Sequence, residues 1–331
     1  QRWPYIRLCE SKKKLRDFKV GESFIAFFLI RKVECKATAA GSKYLDIVLG
    51  DSSGELEARL WDCTPEAETQ FSKNMLVKVK GSVAEWQGKK QIKIDRIRPA
   101  KESDGVHLKD FVPVAPFAAE EMYAELAKYI QKISYDKLRE TVQLIIAEAG
   151  NGLLTHPAAV QNHHSVRAGL LYHTLTMLKA AEKLLEVYSF LDRDLLFAGI
   201  ILHDMAKLQE FEANKLGLAE EYTFEGQMLG HIVQGVKNIA KAAATVGLDS
   251  ETSILLEHMI LSHHYEPEFG SPKRPMIPEA EVLHYLDILD ARMFDMQKAL
   301  NEVAAGEFTD RVWVLNNRKL YKAKRCQEKN Q

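Results

Sequence analysis

The chain has few cysteines. Cys9, Cys35, Cys63 and Cys326 are scattered through 331 residues and form no C-x-x-C pair, so a disulfide framework is not expected and reduced thiols in a cytoplasmic protein are. Long apolar runs are also missing, and nothing approaches the roughly 20 residues needed to span a bilayer. The basic stretch Ser11-Lys12-Lys13-Lys14 has no apolar segment beside it, which argues against a secretory signal. There is no internal repeat and no low-complexity tract. Net charge is nearly absent at -1, from 45 basic and 46 acidic side chains.

That balance hides an asymmetry. Residues 1–100 carry 20 Lys and Arg against 13 Asp and Glu, whereas the remainder carries 25 against 33. A basic first part suits attraction of a polyanion such as nucleic acid. The hydrophobic pattern divides at the same place. Alternation over Ser23–Val33, Lys43–Leu49, Glu55–Trp61, Met75–Val83 and Gln91–Ile97 predicts five short strands, with one longer connection from Asp62 to Lys73. Five strands in this layout are expected to form an OB-fold β-barrel over residues 1–100.

Period-2 geometry puts Leu45, Ile47 and Leu49 on one face with Leu56, Ala58 and Leu60, and turns Tyr44, Arg59 and Trp61 the other way. An outward aromatic surface beside basic residues is a means of stacking single-stranded nucleic acid. The hairpin loop with Trp86 and Lys89 is a second candidate contact. Rim packing is the alternative reading of these aromatics.

Residues 101–117 read as a linker. From 118 to 315 the period becomes helical, over Glu120–Ile133, Asp136–Glu148, His164–Val187, Arg193–Phe211, Gly226–Ala244, Glu251–His264 and Glu279–Ala305. An all-α bundle is expected, with a basic solvated tail over 316–331. Its apolar helices around Ala118 to Ala149 offer a surface for packing between subunits.

The second part carries the chemistry. His203 and Asp204 are adjacent in an apolar run, expected to continue as one helix. His173, His231, His263, His264 and Asp287 lie in other apolar segments before and after them. Isolated buried histidines are usually structural, but several in apolar helices without partners would each cost several kcal/mol, so the coincidence points to a shared divalent-metal site. In this reading His173, His203, Asp204 and Asp287 hold one ion, and His231, His263 and His264 a second, with Asp204 bridging. Two such ions clamp and hydrolyse a phosphate. Asp290, one turn after Asp287, competes for the last ligand position. Lys207 is placed to steady negative charge on a phosphate. Arg167, with His163 and His164, and the loop residues Lys273 and Arg274 are candidate substrate contacts.

The order His173, His203-Asp204, Asp287 resembles the HD superfamily of metal phosphohydrolases. The strings ILHDMAK, GHIVQG, ILSHHYEPEFGSPKRP and EAEVLHYLDILDARM behind an OB-like domain are similar to the YhaM-type 3′-to-5′ exoribonucleases over about residues 20–315. The resemblance implies Mn²⁺ as the cofactor, single-stranded RNA and often DNA as substrate, and nucleoside monophosphates as products; it favours Asp287 over Asp290. The trinuclear HD-GYP branch has a Glu one helical turn before the first His, where Gly169 stands here, so one or two ions are expected. Two other functions are alternatives: an HD-type phosphohydrolase of small or cyclic nucleotides, and a nucleic-acid-binding protein with a regulatory HD domain.

Overall fold

The computed structural model describes residues 13–38, 41–61, 64–86, 88–106, 111–112, 114–159, 166–214, 217 and 219–326. Cys9, Cys63, His163 and His164 lie outside these. The chain forms two compact units, Gln1–Pro113 and Val114–Gln331.

In the first unit, β1 (Ser23–Ala37), β2 (Lys43–Asp51), β3 (Gly54–Leu60), β4 (Leu76–Trp86) and β5 (Lys89–Pro99) close a barrel in the order β1-β2-β3-β5-β4. All pairs are antiparallel except β3 with β5. The long β1 serves two neighbours. Residues 23–29 pair with β4, residues 29–37 with β2, and the register shifts between Ile30 and Lys32. The expected alternation appears as cross-strand pairs Leu45 with Leu60, Ile47 with Ala58 and Leu49 with Leu56. They fill the barrel with Phe24, Phe28, Val77, Val79 and Ile92. The long connection contains a short helix, α1 (Pro65–Gln70), capped by the Thr64 hydroxyl.

The stretch expected as a linker is anchored at both ends. Asp104 accepts two hydrogen bonds from Arg98, each 2.8 Å, and the Ala115 N–H donates to the Arg167 carbonyl at 3.0 Å.

The second unit is built on α2 (Ala119–Gln131), α3 (Asp136–Ala149), α4 (Gly169–Val187), α5 (Arg193–Leu202), α6 (Lys207–Glu210), α7 (Phe224–Val246), α8 (Ser250–Ser262) and α9 (Pro278–Asn301). Helix α5 is apolar on every side, the mark of a central helix, and Leu195 through Leu202 are all buried. Asp192 starts it by accepting from Leu195 N at 3.0 Å. Thr223 and Asp249 cap α7 and α8 in the same way.

Two expectations need correction. The helix predicted to run from Arg193 to Phe211 ends at Leu202, and a turn over 203–206 precedes α6. Helical spacing alone does not register such a break, because the turn reuses helix-like contacts such as Lys207 N to Asp204 O. To the helical bundle the structure adds a hairpin of β6 (Phe211–Ala213) and β7 (Ala219–Tyr222), segments too short to show a period. The basic end is hydrogen-bonded back onto the chain as far as residue 322. Thr309 N donates to Leu320 O, Lys322 N to Glu307 O and Val312 N to Arg318 O, because Asn316 and Asn317 adopt the left-handed turn conformation that Asn tolerates. No helix among the described residues is long and apolar enough to cross a membrane.

Candidate metal centre

Breaks in regular structure assemble this centre. His173 projects from within α4, but His203 caps the end of α5 and Asp204 lies in the turn that follows. His263 likewise caps α8, and His264 sits just beyond it. Because both leave the helix end, the two rings can converge, with centroids 4.2 Å apart. His231 follows a break in α7 at Gly230, whose φ of 67° belongs to the left-handed region where glycine meets no penalty.

Asp204 is the hub. Its Oδ2 lies 3.3 Å from His203 Nε2 and 3.9 Å from His173 Nε2, while its Oδ1 lies 3.4 Å from His231 Nε2 and 3.9 Å from His263 Nε2. Asp287 Oδ1 stands 3.2 Å from His173 Nε2. Two donor groups result, His173 with His203 and Asp204, and His231 with His263 and His264; within each, the facing atoms lie within 4.8 Å of one another.

The far side of every ring is fixed. His203 Nδ1 donates to Ile200 O (2.8 Å), His263 Nδ1 to Ile260 O (2.7 Å) and His264 Nδ1 to Phe269 O (2.7 Å). His231 Nδ1 faces Glu210 Oε1 at 3.0 Å, and His173 Nδ1 faces Asp290 Oδ2 at 2.7 Å. A ring that donates from Nδ1 to a carbonyl leaves a lone pair on Nε2. The Nε2 atoms of His203, His231 and His263, together with Asp204 Oδ1, are buried and make no hydrogen bond. Buried acceptors turned toward one another are costly unless a cation lies among them. The donor set therefore fits a divalent ion, nitrogen and carboxylate oxygen together suiting a borderline or hard metal.

The electrostatics agree. Burial pushes the Asp204 carboxyl upward, but Lys207, His203 and His231 outweigh it and hold the group well below the usual carboxylate range. Burial would discharge Lys207, yet Asp204, 2.8 Å from its Nζ, keeps it charged. Burial, then the neighbouring His264 and His203, hold His263 neutral. His173 moves the other way. Burial opposes its proton, but Asp287 and Asp290 raise it to about 10, so a cation arriving there takes the place of that proton.

The expected ligands His173, His203, Asp204, His231, His263, His264 and Asp287 are thus brought together. Asp287 is on the Nε2 side of His173 and Asp290 behind it on the Nδ1 side. Lys207 is at the centre, bonded to Asp204. Glu210 was not foreseen. It accepts both from the His231 ring and from its backbone N–H at 3.0 Å, across a 21-residue separation that carries no spacing signal. Gly226 makes room for it, since a Cβ there would lie 1.9 Å from the Glu210 carbonyl oxygen. His258 and His284 stand outside the donor groups. His258 Nε2 accepts from Met276 N, and His284 Nδ1 donates to His263 O.

The candidate substrate contacts are distributed differently. On the barrel, Tyr44 and Trp61 stack at 4.9 Å, with the Arg59 guanidinium 5.8 and 5.9 Å from their rings. Trp86 and Lys89 are exposed and face each other across the β4–β5 hairpin. In the second unit Lys273 is exposed. Arg274 lies over the Tyr265 ring at 5.2 Å and 3.6 Å from Glu266. Arg167 is half-buried just before α4, with no hydrogen bond from its buried Nε.

Comparison with known proteins follows this division. Residues 170–292 match the HD domain model, and residues 30–100 match the OB-fold nucleic acid binding domain model. The chain is 42% identical over 311 residues to the 3′-5′ exoribonuclease YhaM of Shouchella clausii (strain KSM-K16), covering 94% of this chain and 96% of that one. Among solved structures, the second OB-fold domain of replication protein A from Methanococcus maripaludis aligns with 27% of this chain and 94% of its own, at 17% identity and a TM-score of 0.23.

Proposed function

The chain belongs to the YhaM 3′-5′ exoribonuclease family, and from that premise we propose that it is a divalent-metal-dependent exonuclease that shortens single-stranded RNA from its 3′ end, and accepts single-stranded DNA as a second substrate. One observation carries the reading: the two oxygens of Asp204 face two separate histidine groups, and the buried inward nitrogens of His203 in one and of His231 and His263 in the other make no hydrogen bond.

In this proposal His173, His203, Asp204 and Asp287 hold one ion, and His231, His263 and His264 hold a second that shares Asp204. Mn²⁺ is the ion proposed. When bound, such a pair polarises the phosphoryl oxygens and makes water a nucleophile near neutral pH. The remaining work falls to side chains. Lys207 keeps its charge through Asp204 and offsets negative charge that develops on the phosphate. Asp290 and Glu210 orient His173 and His231. Lys273 and Arg274 meet the phosphate on the 5′ side of the scissile bond, with Arg167 as a further contact. On the barrel Tyr44, Trp61 and Trp86 stack bases, while Arg59 and Lys89 attract the backbone. The products are nucleoside 5′-monophosphates, and no serine or cysteine nucleophile takes part. The exposed thiol of Cys35 suits a cytoplasmic setting.

The test is a time course on 5′-labelled single-stranded RNA with Mn²⁺, alongside an EDTA control and Asp204→Ala. A ladder shortening from the 3′ end, absent from both controls, is the expected outcome. Intact RNA, with hydrolysis of small or cyclic nucleotides instead, overturns it.

A further inference from the structure

In the segments next to His231 and His264 the chain exposes large apolar side chains. Phe269 is 69% exposed and Met228 68% exposed. Phe269 is tied to the centre by its own main chain, because its carbonyl oxygen accepts from His264 Nδ1. It ends the short turn Pro267–Phe269, and Gly270 follows. A Cβ on Gly270 would stand 3.3 Å from Ile232 Cδ1, so this turn rests against α7 immediately beyond His231. Met228 lies three residues before His231, on the other side of the Gly230 break. The His231 and His264 rings are 5.2 Å apart, so the segments that carry Phe269 and Met228 each adjoin one member of the same pair of imidazoles.

The loop that carries Phe269 is held rather than loose. Tyr265 has φ 69°, a left-handed conformation that a bulky side chain adopts only when its surroundings enforce it. Its ring is stacked 4.7 Å from His284 on one hand and 5.2 Å from the Arg274 guanidinium on the other. Tyr265 therefore has its partners. Phe269 makes no ring contact among the described residues, and so presents an unused aromatic face beside a candidate ligand.

We infer that Phe269 is the residue on which the 3′-terminal base stacks while its phosphate lies at the metal centre. The inference rests on the exoribonuclease reading. An enzyme that removes successive nucleotides must accept every base in turn, and hydrogen-bonded readout of a base edge would reject some of them. An aromatic face accepts all, because each base has a π-surface. Lys273 and Arg274, a few residues further along the same loop, bring the positive charge that a phosphodiester needs. Met228 offers a soft apolar wall to the same base.

The test compares two sets of 5′-labelled oligoribonucleotides, one ending in an ordinary nucleotide and the other in an abasic ribose. For the wild-type protein with Mn²⁺, KM for the ordinary end is expected to be about 5- to 150-fold lower than for the abasic end. Phe269→Ala should bring the two KM values together by raising that of the base-bearing RNA, and Phe269→Trp should restore the difference. Alanine retains the carbonyl that orients His264, so kcat should move far less than KM. Equal KM values for both ends in the wild type, or an equal loss on both ends in Phe269→Ala, would overturn the inference while leaving the exoribonuclease reading intact. A wild-type protein that shortens neither RNA would remove both.

Discussion

Glu210 offers the sharpest test of how the centre is built. Its carboxylate accepts from both the Nδ1 and the backbone N–H of His231, and burial, which would raise its pKa, is outweighed by that histidine, so it remains ionised. A carboxylate behind a ligating imidazole raises its basicity and fixes its orientation, and losing one typically lowers metal affinity about 10- to 100-fold, or about 1.4–2.7 kcal/mol. Glu210→Gln keeps an oxygen for the backbone N–H and removes the charge. Glu210→Ala also leaves the N–H unsatisfied, which adds about 1–3 kcal/mol of destabilisation to the fold. Mn²⁺ binding followed by calorimetry should show one step weakened in Glu210→Gln and the other retained, because the group around His173 relies on Asp290. RNA trimming should recover when Mn²⁺ is raised in proportion. Two unchanged binding steps, or two steps weakened alike, would refute the assignment of Glu210 to one half of the centre.

Other outcomes follow from the same geometry. Asp204→Asn should abolish detectable trimming and lower the melting temperature, since it leaves the buried Lys207 charge without its partner, a loss of about 3–5 kcal/mol; a melting point equal to wild type would count against the pairing. Trp61→Ala should weaken single-stranded RNA binding by about 1–3 kcal/mol with little change in its salt dependence, whereas Arg59→Ala should flatten the salt dependence; fluorescence anisotropy at several salt concentrations separates the two. Asp104 is held at about 2, first by its hydrogen bonds from Arg98 against the opposing effect of burial. A depressed carboxylate stabilises above its unfolded pKa and loses that effect as pH falls through the folded one, so the window runs from about 4 down to 2. Asp104→Asn should be less stable than wild type by roughly 1–2 kcal/mol at pH 5, and the gap in urea unfolding should close by about pH 2.

The sequence made the barrel legible because alternation is a local property that the register preserves: Leu45, Ile47 and Leu49 meet Leu60, Ala58 and Leu56 as period 2 requires. The order of the ligands was legible as a family resemblance, and the histidines and aspartates it named do converge. What supports them was not. Glu210 and Asp290 act across long separations and carry no pattern of their own. Proximity in sequence could not choose between Asp287 and Asp290, whereas the two nitrogens of His173 separate them by direction. The break after Leu202 was hidden by a turn that mimics helical spacing, yet that break is what turns His203 and Asp204 toward a single point.

Asp204 gives one oxygen to each histidine group, and a carboxylate cannot reorient for one side without disturbing the other. On the proposal that each group holds an ion, occupancy of the two groups is thermodynamically linked through a single rigid plane. Whatever factor the first ion imposes on the affinity for the second, the second must impose on the first. Lys207 enters this linkage as an internal counter-ion that seats the carboxylate before either ion arrives. Metal titration should thus depart from the curve of two independent sites, narrower in concentration range where the coupling is favourable and broader where repulsion between the two ions dominates.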